Sequence, residues 1–395
     1  MKRVAFVTPG ILPVPAVNGG AVEELITKLV EANEEYREFE IDVFTTANTK
    51  LKNYSYDLSR IIEVKKGKWI VFADRVLDIC ARRFHWKRNV RLYDRAFLRE
   101  VERGAYDILV IENVTSLYRT LKGRVTCRKC FFHIHNNVDL YRSEADLRNM
   151  VKEQFSILAV SDFVKKQVIK AAPGAQCETF YNAVNRRRFA PISKTERVKC
   201  RKHWELDGSE MVFLYSGRIV PEKGVLELVS AFCNVYEKNA SLSLMIVGKG
   251  QFEKEKVSNY ERKVYQMAGT CPGIRFTGFI QPEEMRNAYG CADMVIMPTI
   301  GGEPFGMVAL EAMSMGIPLI ATRSGGLVEF LNEEYALLLD VDSKLEKNLE
   351  EAMVWGMNHK AQLETMGEAG IAFLDQKKQF NEENYYKEFC RLVDK

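Results

Sequence analysis

The sequence lacks the long apolar runs that membrane-spanning helices need. No stretch of about 18 apolar residues occurs in its 395 positions, so no transmembrane helix is predicted. The first predicted strand begins near Lys2, and we therefore expect no secretory signal before it. Both absences favour a cytoplasmic protein.

A large excess of one charge and a paired set of cysteines are also missing. The net charge of +4 is too small to suggest a nucleic-acid binder, so no such partner is expected. Nine scattered cysteines favour reduced thiols over a disulfide framework. Cys127 and Cys130 form one CxxC, but no second pair has the spacing of a zinc site. The sequence therefore predicts neither a metal nor a redox role for them.

Several common catalytic fingerprints are absent. We find no GxGxxG, no Walker A sequence, no GxSxG and no HExxH, which argues against the enzyme classes that these motifs mark. Asp340 and Asp342 form an isolated DxD, a spacing that can hold a metal. It follows a late predicted strand, far in sequence from the other motifs, and we interpret it as a turn.

Short apolar runs that alternate with helical patterns are the main feature that is present. The alternation predicts parallel strands joined by crossover helices, and the apolar runs predict strands covered on both faces. The predicted strands are Val4–Thr8, Ile41–Thr45, Ile108–Glu112, Phe131–Ile134 and Ile157–Val160, then Val212–Ser216, Leu242–Val247, Ile274–Thr277, Met294–Met297, Pro318–Ala321 and Ala336–Leu339.

Chain length and the strand pattern predict two domains. The charged stretch Arg186–Glu210 has no strand pattern and is interpreted as a linker or surface segment. We place the domains at residues 1–190 and 191–378, each with a doubly wound parallel sheet. Ligands bind at the carboxyl ends of such strands, so two facing domains would hold two ligands across a cleft.

Three features of the N-terminal half are candidates for binding. Gly19 and Gly20 open a helix, where backbone N–H groups and the helix dipole suit an anion; turning and capping the helix is the alternative. The strand FFHIHNN delivers His133 and His135 to one side near its carboxyl end. His135 is the candidate for a sugar hydroxyl or an acceptor, whereas His133 lies deeper and is interpreted as structural.

The C-terminal half carries cations beside a strand end. Gly217 and Arg218 follow the strand from Val212, and Lys223 comes five residues later at the start of a helix. Two cations near a helix N-terminus suit a diphosphate, whereas a surface ion pair is the alternative. A diphosphate site is therefore predicted here.

The densest motif is GGEPFGMVALEAM, from Gly301 to Met313. Its glycine-rich loop carries Glu303, which can reach sugar hydroxyls. Glu311 follows within a helix and can accept both hydroxyls of a ribose. A carboxylate in an otherwise apolar helix needs partners, although a solvent-facing position is the alternative. With the glycine-rich IVGKG stretch, whose family resemblance is described next and implies a nucleotide-sugar site, the predicted binding positions are Gly19, Gly20, Gly217, Arg218, Lys223, Gly248, Phe305, Gly306, Met307, Val308 and Glu311.

The E-x7-E pattern of Glu303 and Glu311, together with GRIVPEKG, IVGKG and FTGFI, resembles the retaining glycosyltransferases of family 4. The start LPVPAVNGGAVEEL is similar to spore-coat-associated and polysaccharide-building members. The resemblance implies the GT-B fold: two Rossmann-like domains facing across a cleft. It further implies that the C-terminal helix, here residues 379–395, packs back on the first domain.

The resemblance also implies roles for the matching residues. Arg218 and Lys223 would neutralise the donor diphosphate, and Glu303 would hold the transferred sugar. His135 would contact the sugar near the reacting centre, and Glu311 would bind the ribose. Members usually need no bound metal, so no cofactor is expected.

The resulting expectation is a metal-independent hexosyltransferase that moves a sugar, with retention, from a nucleotide diphosphate sugar to a glycan or lipid-linked glycan in cell-surface polysaccharide synthesis. A nucleotide-sugar epimerase and a non-catalytic sugar-nucleotide-binding coat or assembly protein are the alternatives.

One basic segment suggests where the acceptor is found. Between Lys50 and Arg103 the sequence has 15 basic and 7 acidic residues, with aromatics interleaved around Trp69 and in Arg82–Arg88. Basic amphipathic helices are typical of membrane surfaces, and a solvated helix face is the alternative. Peripheral association at the inner face of the membrane through Trp69–Arg103 is the corresponding expectation.

Overall fold

The computed structural model describes residues 1–65, 67–83, 92–121, 123–125, 127–141, 144–206, 210–250 and 257–394. The chain divides into two compact units. The first unit comprises Met1–Tyr181 and Tyr385–Lys395, and the second comprises Asn182–Asn384. Each unit has one parallel sheet with crossover helices, which confirms the predicted α/β class with two doubly wound sheets.

Among the described residues, the first unit has seven parallel strands and six α-helices before the domain boundary. The strands are β1 Lys2–Val7, β2 Phe39–Thr46, β3 Ser59–Val64, β4 Ile108–Glu112, β5 Lys129–Ile134, β6 Ser156–Ala159 and β7 Cys177–Thr179. The helices are α1 Ala21–Tyr36, α2 Lys68–Arg83, α3 Leu92–Glu102, α4 Thr115–Leu121, α5 Glu144–Lys152 and α6 Asp162–Ala171.

The strand order of the first sheet is β3-β2-β1-β4-β5-β6-β7. The inner strands are apolar on both faces; in β1, Val4 to Val7 are fully buried. The two strands absent from the sequence prediction, β3 and β7, are the edge strands. The first mixes polar with apolar residues and the second has three residues, so neither shows the continuous apolar run of a covered strand.

The last helix of the chain, α14 Glu382–Asp394, belongs mostly to the first unit. Tyr385 stacks on Phe180 with ring centroids 4.4 Å apart, and Phe389 lies 5.4 Å from the Phe6 ring. The Tyr386 hydroxyl donates a hydrogen bond to Asn33 Oδ1 at 2.8 Å. The helix therefore completes the core beside β1.

The second unit has six parallel strands in the order β10-β9-β8-β11-β12-β13. They are β8 Met211–Ser216, β9 Leu242–Val247, β10 Ile274–Gly278, β11 Met294–Met297, β12 Leu319–Thr322 and β13 Ala336–Leu339. The helices are α7 Lys194–His203, α8 Val225–Tyr236, α9 Asn259–Ala268, α10 Met285–Cys291, α11 Met307–Ser314, α12 Leu345–Asn358 and α13 Lys360–Gln376.

The interpretation of residues 186–210 as a linker or surface segment is corrected by α7. Ser193 accepts from the Glu196 backbone N–H, and the Glu196 carboxylate accepts from the Ser193 N–H. This reciprocal capping box starts a helix whose Arg201 and Arg197 both pair with Asp293. The S-x-x-E spacing was readable in the sequence, but the dense charge concealed the helix.

The cysteines also differ from expectation in one place. Cys127 and Cys130 form a disulfide, whereas the seven other cysteines are free thiols. The pair precedes β5, where three residues of separation bring the two α-carbons within 6.5 Å, inside the usual disulfide range. Among the described residues, no helix combines the length and apolarity that a membrane span requires.

Candidate active site

The second sheet changes winding direction between β8 and β11, and the predicted site residues cluster there. Connections from neighbouring strands diverge at such a point and open a crevice at the carboxyl edge of the sheet. Arg218 and Lys223 follow β8, and Glu303 follows β11. The topology therefore brings together two motifs that are 80 residues apart in sequence.

Lys223 and Glu303 form the centre of this second-unit site. Lys223 Nζ lies 2.5 Å from Glu303 Oε2, and Thr299 Oγ1 donates to the same oxygen at 3.1 Å. Glu303 is only 8% exposed. A carboxylate this buried needs a paired charge, which Lys223 supplies. The contact in turn holds the Lys223 ammonium in place.

The backbone before α8 fixes the position of Lys223. Gly224 adopts a left-handed conformation with φ of 65°. A β-carbon at Gly224 would lie 2.0 Å from the Pro298 carbonyl oxygen, so no larger residue fits this turn. The close approach of this turn to the end of β11 places the Lys223 ammonium against Glu303.

The strand-end glycines have a packing role that the sequence did not reveal. A β-carbon at Gly248, after β9, would lie 2.1 Å from the Gly217 carbonyl oxygen. Gly217 N–H donates to Val247 O at 3.0 Å, and this bond holds the end of β8 against β9. The absence of a side chain at Gly248 therefore allows the two strand ends to approach closely next to Arg218.

Arg218 is placed next to the Lys223–Glu303 pair but does not join it. Its guanidinium lies 3.7 Å from Glu222 Oε1, in a half-exposed pair. Such an exposed pair is weak, so the guanidinium can reorient toward an anion. Lys223 is thus a half-buried cation held by Glu303, and Arg218 is a more exposed, movable cation at the same strand end.

The helix α11 begins directly after Gly306, with Met307 and Val308 half-buried in its first turn. Helix N-terminal N–H groups and the helix dipole favour anions at this end. The Phe305 side chain is buried, with its ring 5.3 Å from Phe330 and 6.1 Å from Phe380. The Phe305 side chain therefore packs in the core of the second unit and is not exposed to a ligand.

Glu311 has a partner that sequence reasoning missed. The Tyr289 hydroxyl donates to Glu311 Oε2 at 2.6 Å, and Glu311 is half-buried rather than solvent-facing. Burial and then the Glu311 charge raise the pKa of Tyr289 well above its ordinary value, so the hydroxyl keeps its proton. A buried donor on another helix therefore orients one carboxylate oxygen of Glu311.

Tyr289→Phe removes the hydroxyl that donates to the Glu311 carboxylate, so we expect the nucleoside diphosphate binding predicted here from the sequence to weaken by about threefold to tenfold. Isothermal titration calorimetry measures the change. Tyr335→Phe is the matched control, since Tyr335 is equally buried but its hydroxyl donates to the Phe330 backbone carbonyl. Equal affinities of Tyr289→Phe and the wild type would contradict the orienting role.

In the first unit, the surroundings of Gly20 differ from those of the predicted anion site. Gly20 caps α1 without a side-chain bond, and the Glu23 carboxyl lies where a Gly20 β-carbon would be, 2.2 Å away. Burial raises the pKa of Glu23 to about 7; its own backbone N–H opposes the shift and the Glu112 charge adds to it. An anion approaching Gly19 and Gly20 would therefore meet this carboxyl first.

The carboxyl ends of β4 and β5 bring together Glu112, His133 and His135. Glu112 Oε2 lies 2.8 Å from His135 Nε2 and 3.1 Å from His133 Nδ1. All three side chains are buried. The prediction that both histidines lie on one side of β5 is confirmed, since they contact the same carboxylate. Glu112 was missed, although a lone acid ending the run Ile108–Glu112 was a signal.

Charge in this first-unit cluster is divided unevenly. Burial opposes ionisation of Glu112, but the charge and hydrogen bonds of His133 and His135 outweigh it and lower the pKa of Glu112 to about 2. Burial and the His133 charge lower the pKa of His135 to about 4, although Glu112 partly offsets them. Near neutral pH, Glu112 is ionised and His135 is neutral.

Two groups of residues bear on the expectation that the protein needs no metal. In the described ranges, Glu112, His133 and His135 form one group whose ligand atoms lie within 4.8 Å of one another. Asp340 and Asp342 are exposed; Asp340 lies 3.5 Å from Arg323, and Asp342 accepts the Lys344 N–H at 2.8 Å. The DxD therefore forms a bend after β13.

Residues 210–358 match the family model described as glycosyl transferases group 1. A lipopolysaccharide 1,2-N-acetylglucosaminetransferase from Salmonella typhimurium is 28% identical over 57% of this chain, a match that spans just over half, 56%, of that protein. Spore coat protein SA from Bacillus subtilis is 23% identical over 84% of this chain and 83% of its own length. The predicted resemblance to family 4 is confirmed.

Solved structures show the same architecture. A sucrose-phosphate synthase from Thermosynechococcus elongatus superposes with a TM-score of 0.79 at 20% identity and covers 100% of this chain and 98% of its own. The Anabaena protein HepE, in complex with UDP and glucose, gives 0.74 at 17% identity with full coverage of both chains. These likenesses confirm the GT-B fold.

Proposed function

We propose that this chain, whose residues 210–358 are a group 1 glycosyl transferase domain, moves a hexose from a nucleotide diphosphate sugar to an acceptor with retention and without a metal. The observation that carries the proposal is the ion pair of Lys223 with the buried Glu303, beside Arg218 at the switch point of the second sheet. Opposite charges at one strand end suit a ligand with an anionic diphosphate and a polyhydroxylated sugar.

Each side chain of the second-unit site has a distinct part in this reaction. Departure of the nucleoside diphosphate builds negative charge on a phosphate oxygen, and Lys223 and Arg218 stabilise that charge as it develops. Glu303 accepts hydrogen bonds from hydroxyls of the transferred sugar. Glu311, oriented by Tyr289, accepts the two ribose hydroxyls of the nucleotide.

Retention follows when the acceptor hydroxyl attacks the anomeric carbon from the face that the diphosphate leaves. The carbon–oxygen bond to phosphate breaks as the bond to the acceptor oxygen forms. The leaving phosphate oxygen takes the acceptor proton, and the nucleoside diphosphate leaves with it. The cations Arg218 and Lys223 supply the charge neutralisation that a divalent metal gives in other sites.

Stereochemistry and metal dependence have direct tests. With a donor of known anomeric configuration, proton NMR of the product is expected to show the same configuration, and turnover is expected to survive EDTA. An inverted product would contradict retention. Loss of turnover in EDTA, restored by a divalent cation, would contradict the metal-independent mechanism while leaving the transfer reaction itself standing.

The acceptor is proposed to be a glycan or lipid-linked glycan of the cell surface, as the names of the Salmonella transferase and the Bacillus spore coat protein suggest. The helix α2 supports a lipid-side location. Its exposed apolar residues recur on one face: Trp69 at 84%, Phe72 at 61%, Val76 at 41% and Ile79 at 62% exposure. An apolar stripe within the basic segment Lys50–Arg103 is complementary to an anionic lipid surface.

The cations of Arg82–Arg88 were expected to contribute to membrane binding, and part of this segment lies outside the described residues. Arg83 is exposed at the end of α2, whereas Phe84, His85, Trp86, Lys87 and Arg88 lie outside the described ranges. The proposal of peripheral membrane contact therefore depends on the stripe of α2 and on the positive charge of the segment.

Changing Trp69, Phe72 and Ile79 together to serine is expected to reduce binding to phosphatidylglycerol-containing vesicles at least tenfold. Each side chain loses about 1 kcal/mol or more of apolar transfer free energy. Vesicle cosedimentation measures the loss of vesicle binding, and the affinity for the nucleotide should stay unchanged. Val198, Val328 and Val354, exposed apolar residues of the second unit, are changed to serine as the control. Equal vesicle binding by the stripe variant and this control would contradict the membrane proposal.

A further inference from the structure

Glu112 is buried, with 1% of its surface exposed, and its carboxylate contacts two histidine rings. Its Oε2 atom is 2.8 Å from His135 Nε2 and 3.1 Å from His133 Nδ1. The two rings lie with centroids 3.9 Å apart. One carboxylate thus restrains both rings at the carboxyl ends of adjacent strands.

The backbone around His135 is restrained as well. Asn113, directly after β4, has a left-handed φ of 57° and donates its N–H to the His133 carbonyl at 2.8 Å. Its Oδ1 accepts the His135 N–H at 3.1 Å. The end of β5 is therefore held by both Glu112 and Asn113, which fixes the main chain and the ring of His135 at once.

The hydrogen-bond chemistry decides which ring nitrogen of His135 carries the proton. An ionised carboxylate has only acceptor oxygens, so the nitrogen that faces Glu112 must donate an N–H. That nitrogen is Nε2. A neutral imidazole has one N–H, and Nδ1 is then left with its lone pair as an acceptor.

We propose that Glu112 is a positioning residue that holds His135 as the Nε2–H tautomer, so that Nδ1 accepts a hydrogen bond from a hydroxyl of the transferred sugar. This inference rests on the proposed function for the identity of the hydroxyl. The tautomer itself follows from the contacts of the first unit alone. The other tautomer would present an N–H, which a sugar hydroxyl can meet only as an acceptor.

The test begins with the wild-type tautomer. Long-range proton–nitrogen NMR of protein with nitrogen-15 histidine separates the two tautomers, and His135→Gln assigns the signal among the five histidines. We expect His135 to be the Nε2–H form at neutral pH. An Nδ1–H form or a doubly protonated ring would overturn the proposal, even if the protein transferred no sugar.

Glu112→Gln supplies the second part of the test. A glutamine amide can donate as well as accept, so the preference for Nε2–H is expected to weaken. The kcat/KM for the nucleotide sugar should fall about 10-fold to 100-fold, by analogy with residues that orient metal-binding histidines. Affinity for the nucleoside diphosphate without sugar should stay unchanged. Glu63→Gln, an exposed glutamate on β3, is the control.

Two further results complete the design. Glu112→Asp keeps the carboxylate and is expected to restore the Nε2–H tautomer in part, which also covers a failure of the glutamine variant to fold. Wild-type His135 signals and activity in both variants would overturn the positioning role. Stoichiometric zinc binding with both histidines as ligands would overturn it too, because a metal would then hold the rings. Absence of transfer with the expected tautomer would count against the proposed function only.

Discussion

Lys223→Ala is expected to lower kcat/KM for the donor by about 10²-fold to 10³-fold. The ammonium is fixed 2.5 Å from Glu303, beside the strand end where the diphosphate is proposed to bind. Loss of a preorganised group that meets developing negative charge costs about 2.7–4 kcal/mol of transition-state stabilisation. Steady-state release of nucleoside diphosphate measures the change, and thermal unfolding reports whether the fold is kept.

The exposed pair of Lys347 and Glu351 in α12 provides the control for this substitution. Its ammonium and carboxylate lie 3.4 Å apart, and the lysine side chain is 73% exposed. Lys347→Ala should therefore leave both turnover and stability close to wild type. If a folded Lys223→Ala protein turned over the donor like Lys347→Ala, the assignment of Lys223 to the diphosphate would be wrong.

Glu303→Gln is the other substitution with a large expected effect, a loss of about 10²-fold in kcat/KM. The change keeps the shape but removes the charge that accepts sugar hydroxyls, and it leaves the Lys223 ammonium without its buried partner. Thr299 retains an oxygen acceptor, so the loop is expected to stay folded. Binding of a nucleoside diphosphate without sugar should change far less than turnover.

A double-mutant cycle joins these two predictions. Because the two side chains contact each other, Lys223→Ala and Glu303→Gln are expected to be non-additive in the same protein. The matched cycle of Lys347→Ala and Glu351→Gln should be additive within about 0.5 kcal/mol. Additive losses in the first cycle would show that the contact between Lys223 and Glu303 has no part in catalysis.

Strands covered on both faces were readable from the sequence because burial makes them apolar throughout. The eleven predicted runs correspond to strands of the structure, whereas β3 and β7 were missed as edge strands. Helix α7 was missed as well, since its charged surface hid a capping box at Ser193. Edge position alone does not explain these misses, since the edge strands β10 and β13 were predicted. Strand β3 mixes polar with apolar residues, β7 has three residues and α7 is dense in charge, so none of them carries a clear apolar pattern.

Site residues were predictable as single motifs but not as pairs. Glu303 and Lys223 were each singled out, yet their contact depends on β8 and β11 being neighbours in the sheet. Glu112 and Tyr289 were missed for the same reason. Each orients a residue that was predicted, His135 or Glu311, from a different element. The local sequence can single out such a residue, as the acid that ends Ile108–Glu112 does, but it does not show which side chain of another element the residue contacts.

The most direct test of the central claim is a donor screen with the purified protein. UDP-, GDP-, ADP- and dTDP-sugars are offered with a lipid-linked acceptor pool, and nucleoside diphosphate release is followed with and without EDTA. The account predicts release and sugar transfer from one nucleotide class, unaffected by EDTA and lost in Lys223→Ala but not in Lys347→Ala. An epimerised sugar, or binding without turnover of any donor by the folded protein, would contradict it.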